Sequence, residues 1–197
     1  MRISTSPAGH AHRLYLAQLS DYLHKSQKIQ AAWDAYSSEH SDPETRQPFD
    51  DVYGRRPSQP AEATLAAFGR VYYHADELVF LAEQQLLQLP ACDRTRHYAW
   101  QLVVLNVSTQ RLYEARDAWL DQRHKLPQDA VPGTAAYEEP LAEFHANAWL
   151  CLHQWTLHGR SLIEINQLAQ KEPHASPAPA KAPPVPEPAA KPSAPRR

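Results

Sequence analysis

The placement of proline constrains this chain more than any other feature. Nine of its 18 prolines fall in residues 173–197. The other nine leave four long windows without a single proline: 8–42, 61–89, 91–126 and 141–172. A proline inside a helix removes a hydrogen bond and clashes with the preceding turn. Windows this clean are where long helices can form. Pro7, Pro60 and Pro140 each stand where a first helical residue would be, a position that tolerates the missing N–H.

Hydrophobic spacing agrees with that division. Tyr15, Leu19, Tyr22, Ser26, Ile29, Trp33 and Tyr36 alternate steps of four and three, as do Leu65, Phe68, Tyr72, Ala75, Val79, Ala82, Leu86 and Leu89. Tyr98, Leu102, Leu105, Thr109, Leu112 and Trp119 form a third stripe, interrupted by Arg116. Leu141, Phe144, Ala148, Cys151, Trp155, His158, Leu162, Ile165 and Ala169 form a fourth. This rhythm keeps one helix face toward a neighbour. Strand alternation is sustained nowhere. Only five glycines occur, too few for a turn-rich β-fold.

The sequence therefore predicts an all-α fold, a bundle of four long helices over about 8–40, 61–89, 93–126 and 140–171. Residues 1–172 form one helical domain, and the proline- and alanine-rich residues 173–197 form a disordered tail with polyproline II character. "LPACD" (89–93) is short enough to force an antiparallel hairpin. The longer connections leave both an up-down-up-down and a crossover topology open. Within the first of them, "PFDDVYG" is expected to make one helical turn pinned by Phe49, Val52 and Tyr53.

Charge and motif content narrow the function. Residues 1–172 carry a net charge of −5 and residues 173–197 a net charge of +3. An acidic body does not suit a broad phosphate-binding surface, so no nucleic-acid partner is expected. No glycine-rich phosphate loop is present. Cys92 and Cys151 form no CxxC and read as free thiols of a cytoplasmic protein. The longest apolar run, "LVVL" at 102–105, is far too short for a membrane span, and the N-terminus shows no apolar signal segment.

Eleven histidines raise the question of a metal or acid–base site. Neither Glu-x-x-His nor His-Glu-x-x-His occurs. Asp93 and His97 stand four apart and share a helix face, though Asp93 also suits the N-cap of the third helix. Arg70 and His74 give a helical ribonuclease-like pair, with only three residues between them. The stretch "HANAWLCLHQWTLH" (145–158) concentrates three histidines, two tryptophans and a cysteine. At roughly 100° per residue its histidines do not converge. Cys151, Trp155 and His158 lie on the core stripe, where His158 needs a hydrogen-bond partner on a facing helix.

Trp149, Leu150, Leu157 and Leu168 lie away from that stripe, so the fourth helix is apolar on more than one face. The expectation is a non-enzymatic adaptor or assembly protein that docks through this face onto a protein partner or a second copy as a homodimer. No metal and no cofactor are expected. The alternative is a small helical enzyme or metal-binding protein that uses His74, His97 or His158.

Overall fold

The computed structural model describes residues 7–40 and 58–171. All regular structure among them is helical. Six helices occur: α1 (Pro7–Glu39), α2 (Ser58–Tyr72), α3 (Ala75–Leu86), α4 (Asp93–Lys125), α5 (Ala135–His158) and α6 (Arg160–Lys171). They make four rods, because α2 runs almost directly into α3 and α5 into α6. The expected turn at Phe49–Tyr53 and the tail 173–197 lie outside the described residues.

Rods consecutive in the sequence are antiparallel. Tyr22 meets Phe68 edge-on at 4.9 Å and Tyr15 stacks on His74 at 3.8 Å, so α1 runs against α2–α3. Tyr72 meets Tyr113, and Gln110 reaches Asp76, which sets α4 against α2–α3. Tyr98 bonds Glu164 while Trp119 stacks over Phe144, which sets α5–α6 against α4. The bundle is thus up-down-up-down, and the crossover alternative is eliminated. The second and fourth rods also touch each other along their length, with α1 and α4 on either side of that pair. Leu19, Tyr22, Phe68, Leu78, Leu102, Leu105, Leu112, Leu152, Trp155, Leu162 and Ile165 fill the shared core.

Two rods are broken, and each break has a local cause. Between α2 and α3 the chain tightens at Tyr73 and His74, where the His74 N–H donates to the Val71 carbonyl at 2.9 Å. The Tyr113 hydroxyl on α4 donates to the Tyr72 carbonyl at 3.1 Å, so this group at the break keeps a partner. The second break is at Gly159, where α1 packs closest: a Cβ there would lie 3.4 Å from both Leu19 and Leu23.

The helix starts differ from the sequence expectation in three places, the first being α2, which begins at Ser58, two residues before Pro60. Cys92, not Asp93, caps α4: the Cys92 N–H donates to the Thr95 hydroxyl at 2.8 Å. The last rod begins at Ala135, five residues before Pro140, which lies inside the helix. The turn before it is closed by Gly133 at φ +95° and by its N–H, which donates to Glu138 at 2.8 Å. Tyr137 packs edge-on against Trp119 at 5.5 Å. That packing and the Glu138 tie offset the hydrogen bond that Pro140 forfeits.

Candidate interaction face

Several polar groups of the interior are paired across helices. The Tyr22 hydroxyl donates to the Leu152 carbonyl at 2.9 Å and lies 3.0 Å from the Thr156 hydroxyl. The indole N–H of Trp155 donates to the Thr109 hydroxyl at 3.2 Å. Arg116, the one charge on the third stripe, lies over the Tyr72 ring at 5.2 Å and donates to its hydroxyl. These contacts tie neighbouring helices to one another in a fixed register.

The outward faces are less ordinary. On α4, Trp100, Val103 and Val107 are 53%, 60% and 46% exposed. Opposite the core residues Leu105 and Leu112, they fall on the back of the helix at roughly 100° per residue. On α5, Leu150 and Leu157 are 67% and 55% exposed. The antiparallel register of Thr109 with Trp155 sets Val107 level with Leu157. An open groove of about 830 Å³ runs between the two helices, lined by Val103, Val107, Arg111, Leu150, Cys151 and Gln154 among others. Val103, Val107 and Leu150 border this groove, while Trp100 packs beside His97 and His158 and Leu157 borders a separate groove between α1 and the α5–α6 rod.

The four residues singled out on the last rod are divided by the structure. Leu150 lines the α4–α5 groove, and Leu157 lines the groove against α1. Trp149 is half-buried, turned to the flank of α5 with its ring stacked near His153 at 6.3 Å. Leu168 packs against the core. The reason is the break at Gly159. The inward positions of α6 (Ser161, Leu162, Ile165 and Asn166) are rotated roughly 70° from a straight continuation of Ala148, Leu152 and Trp155. Leu168 is carried inward by that rotation.

The candidate histidines also separate. His74 is stacked on Tyr15 at 3.8 Å, while Arg70 is exposed. Asp93 pairs with Arg96 rather than with His97. His97 and His158 do approach one another, through Trp100. His97 stacks near the indole at 5.8 Å, and His158 meets it edge-on at 5.1 Å. The partner expected for His158 is Gln101, whose amide nitrogen lies 3.5 Å from Nδ1 while its buried amide oxygen has no partner. Burial, followed by the nearby His97 and His153, pushes the His158 pKa below its ordinary value.

Cys92 is exposed and Cys151 buried, and both are free thiols. Burial pushes the Cys151 thiol pKa up, which makes it a poor nucleophile. Among the described residues no group of three or more His, Cys, Asp or Glu side chains is placed to hold a metal ion. No helix among them is long and apolar enough to cross a membrane.

No protein-family model matches this chain, and neither the curated proteins nor the solved structures contain a match to it. The function must therefore be argued from the face itself.

Proposed function

We propose that this chain is a non-enzymatic helical interaction protein whose docking surface is the apolar face shared by α4 and α5. One observation carries the reading: Val103, Val107 and Leu150 are all about half exposed or more, and all line the one groove between α4 and α5. Single exposed apolar residues are ordinary on any protein. A contiguous group flanking a groove marks a surface that another molecule covers. The buried polar groups, by contrast, serve register. Relative to the sequence expectation, the docking face moves from the last rod alone to the α4–α5 pair, and loses Trp149, Leu157 and Leu168.

The test is site-specific photo-crosslinking in the native cell. Leu150→p-benzoylphenylalanine should give one defined adduct, and the same replacement at Leu14, exposed on α1, should not. Equal labelling from both positions, or none from position 150, would refute the assignment.

A further inference from the structure

We infer that the outer face of α3 is a docking surface for this chain's own residues 173–197. That face belongs to the second rod and not to the α4–α5 groove.

The face is apolar and acidic at once. Leu87 and Tyr73, at the two ends of α3, are the most exposed large apolar side chains of the described residues, at 80% and 74%, and Phe80 between them is 57% exposed. Phe80 and Leu87 are seven residues apart, close to two helical turns, so they share one side. It lies away from Leu78, Val79 and Ala82, which α3 buries. Asp76, Glu77 and Glu83 each fall within about 60° of Phe80 on the helical wheel. No Lys or Arg occurs between Tyr73 and Leu87. None of the three carboxylates belongs to an ion pair among the described residues. Gln110 offers Asp76 only a neutral amide, and Arg96, in the α3–α4 groove with Glu83, pairs with Asp93 instead.

The tail complements that surface in charge and in chemistry. Lys181, Lys191, Arg196 and Arg197 against Glu187 give it a net charge of +3, opposite three carboxylates without a cation of their own. Proline-rich segments dock on exposed aromatic rings, because a polyproline II chain is already extended and loses little entropy. The nine prolines of the tail and the rings of Tyr73 and Phe80 supply the two sides of such a contact.

The tether favours this segment over a free peptide of the same composition. α6 ends at Lys171 and α3 at Leu86. The two helices run parallel and are tied near those ends by the Gln85 amide, which donates to Asn166 at 3.0 Å. The tail therefore leaves the body at the Leu87 end of the face. Passing around α3 takes roughly 20 Å, about two helix widths, and Phe80 is about 10 Å further along. A polyproline II chain covers that distance in about 10 residues, which brings Lys181 within reach of Asp76 and Glu77. Tethered in this way, the tail meets the face at an effective concentration on the order of millimolar, so a weak site suffices.

Phe80→p-benzoylphenylalanine keeps an aromatic ring on the face. Irradiation of the purified full chain at about 1 µM should join position 80 to a peptide from residues 173–197 of the same chain. Leu157→p-benzoylphenylalanine is the control, because Leu157 is equally exposed at 55% but lies beside Arg160. It should give roughly fivefold less tail adduct. The quadruple variant Lys181→Glu, Lys191→Glu, Arg196→Glu and Arg197→Glu should cut the yield from position 80 by roughly fivefold or more. Raising salt from about 0.01 to 0.5 M should do the same to the natural tail, since exposed charges are then screened.

The absence of a tail adduct from position 80, or equal yields from positions 80 and 157, overturns the proposal. So does a yield that neither charge reversal nor salt changes. An adduct with the mass of two chains assigns the face to the tail of a second copy and overturns the intramolecular contact. None of these results bears on the adduct expected from position 150, so the α4–α5 reading stands or fails separately.

Discussion

Two glycines in this molecule should respond to the same substitution with opposite signs. Alanine is favoured over glycine in a helix interior by about 1 kcal/mol. Part of that gain comes from the restricted unfolded chain. Gly69 lies exposed within α2, and a Cβ added there meets nothing within 4 Å. Gly69→Ala should therefore stabilise the protein by about 0.5–1 kcal/mol. At Gly159 the same Cβ would lie 2.6 Å from the Trp155 carbonyl oxygen and 3.4 Å from Leu19 and Leu23. That oxygen accepts the Gly159 N–H at 2.9 Å, and the Trp155 side chain is completely buried. Neither the carbonyl nor the indole can retreat without moving the core, so overpacking of about 1–3 kcal/mol outweighs the propensity gain. The expected net effect of Gly159→Ala is a loss of about 1–2 kcal/mol, a fall in Tm of about 2–8 °C for a chain of this length. Urea unfolding followed by circular dichroism, with unchanged m-values, measures both variants. If Gly159→Ala proves as stable as the wild type or more so, the close approach of α1 to this break is not what the glycine serves.

Two further outcomes follow from the interior and from the histidine cluster. Thr109→Val removes the acceptor of the Trp155 indole N–H in a fully buried site and should cost about 1–3 kcal/mol; Thr109→Ser, which keeps the hydroxyl, should cost about 1 kcal/mol or less in the same urea titration. His158 titrates below its ordinary 6.5 in the folded chain, so the unfolded chain binds its proton more readily. Its contribution is complete above about pH 6.5 and is lost as pH falls through the lower folded pKa, so unfolding midpoints between about pH 5 and 7 should fall more steeply for the wild type than for His158→Gln. Identical slopes would mean that His158 is not desolvated as the structure places it.

The rods themselves were legible because proline acts locally: each clean window became one rod, and each apolar stripe faces the core. The breaks were harder. The one at Tyr73 and His74 carries neither glycine nor proline, and depends on a hydroxyl from Tyr113, 41 positions away from Tyr72. Gly159 was visible in the sequence, but not the rotation it introduces, and that rotation is what carries Leu168 inward. Pro140 misled because the packing of Tyr137 on Trp119 extends the helix past it. The exposed half of the site on α4 did have a signal. Four consecutive apolar residues, Leu102 to Leu105, sweep roughly 300° of a helical wheel. A helix with one buried face must turn some of them outward, and Val103 is the one most exposed here. The run is uninformative about membranes and informative about this surface.

The groove between α4 and α5 and the buried polar pairs are linked through register. Val103 and Val107 of α4 meet Leu150 of α5 across that groove only in the register that brings Thr109 to Trp155. Hydrophobic packing alone holds that register weakly, since sliding one helix past another by a turn, about 5.4 Å, exchanges one apolar contact for a similar one. Hydrogen bonds do not exchange so easily. A slip of α4 against α5 would leave the Trp155 indole N–H unpaired and would separate Tyr98 from Glu164, bonded at 2.7 Å near the other end of α4. A buried donor without a partner costs about 1–3 kcal/mol, while the pair itself adds only about 1 kcal/mol to stability. Thr109 and Tyr98 therefore act less as a source of stability than as a penalty on every other alignment. By excluding those alignments they set which side chains of α4 and α5 border the groove above them.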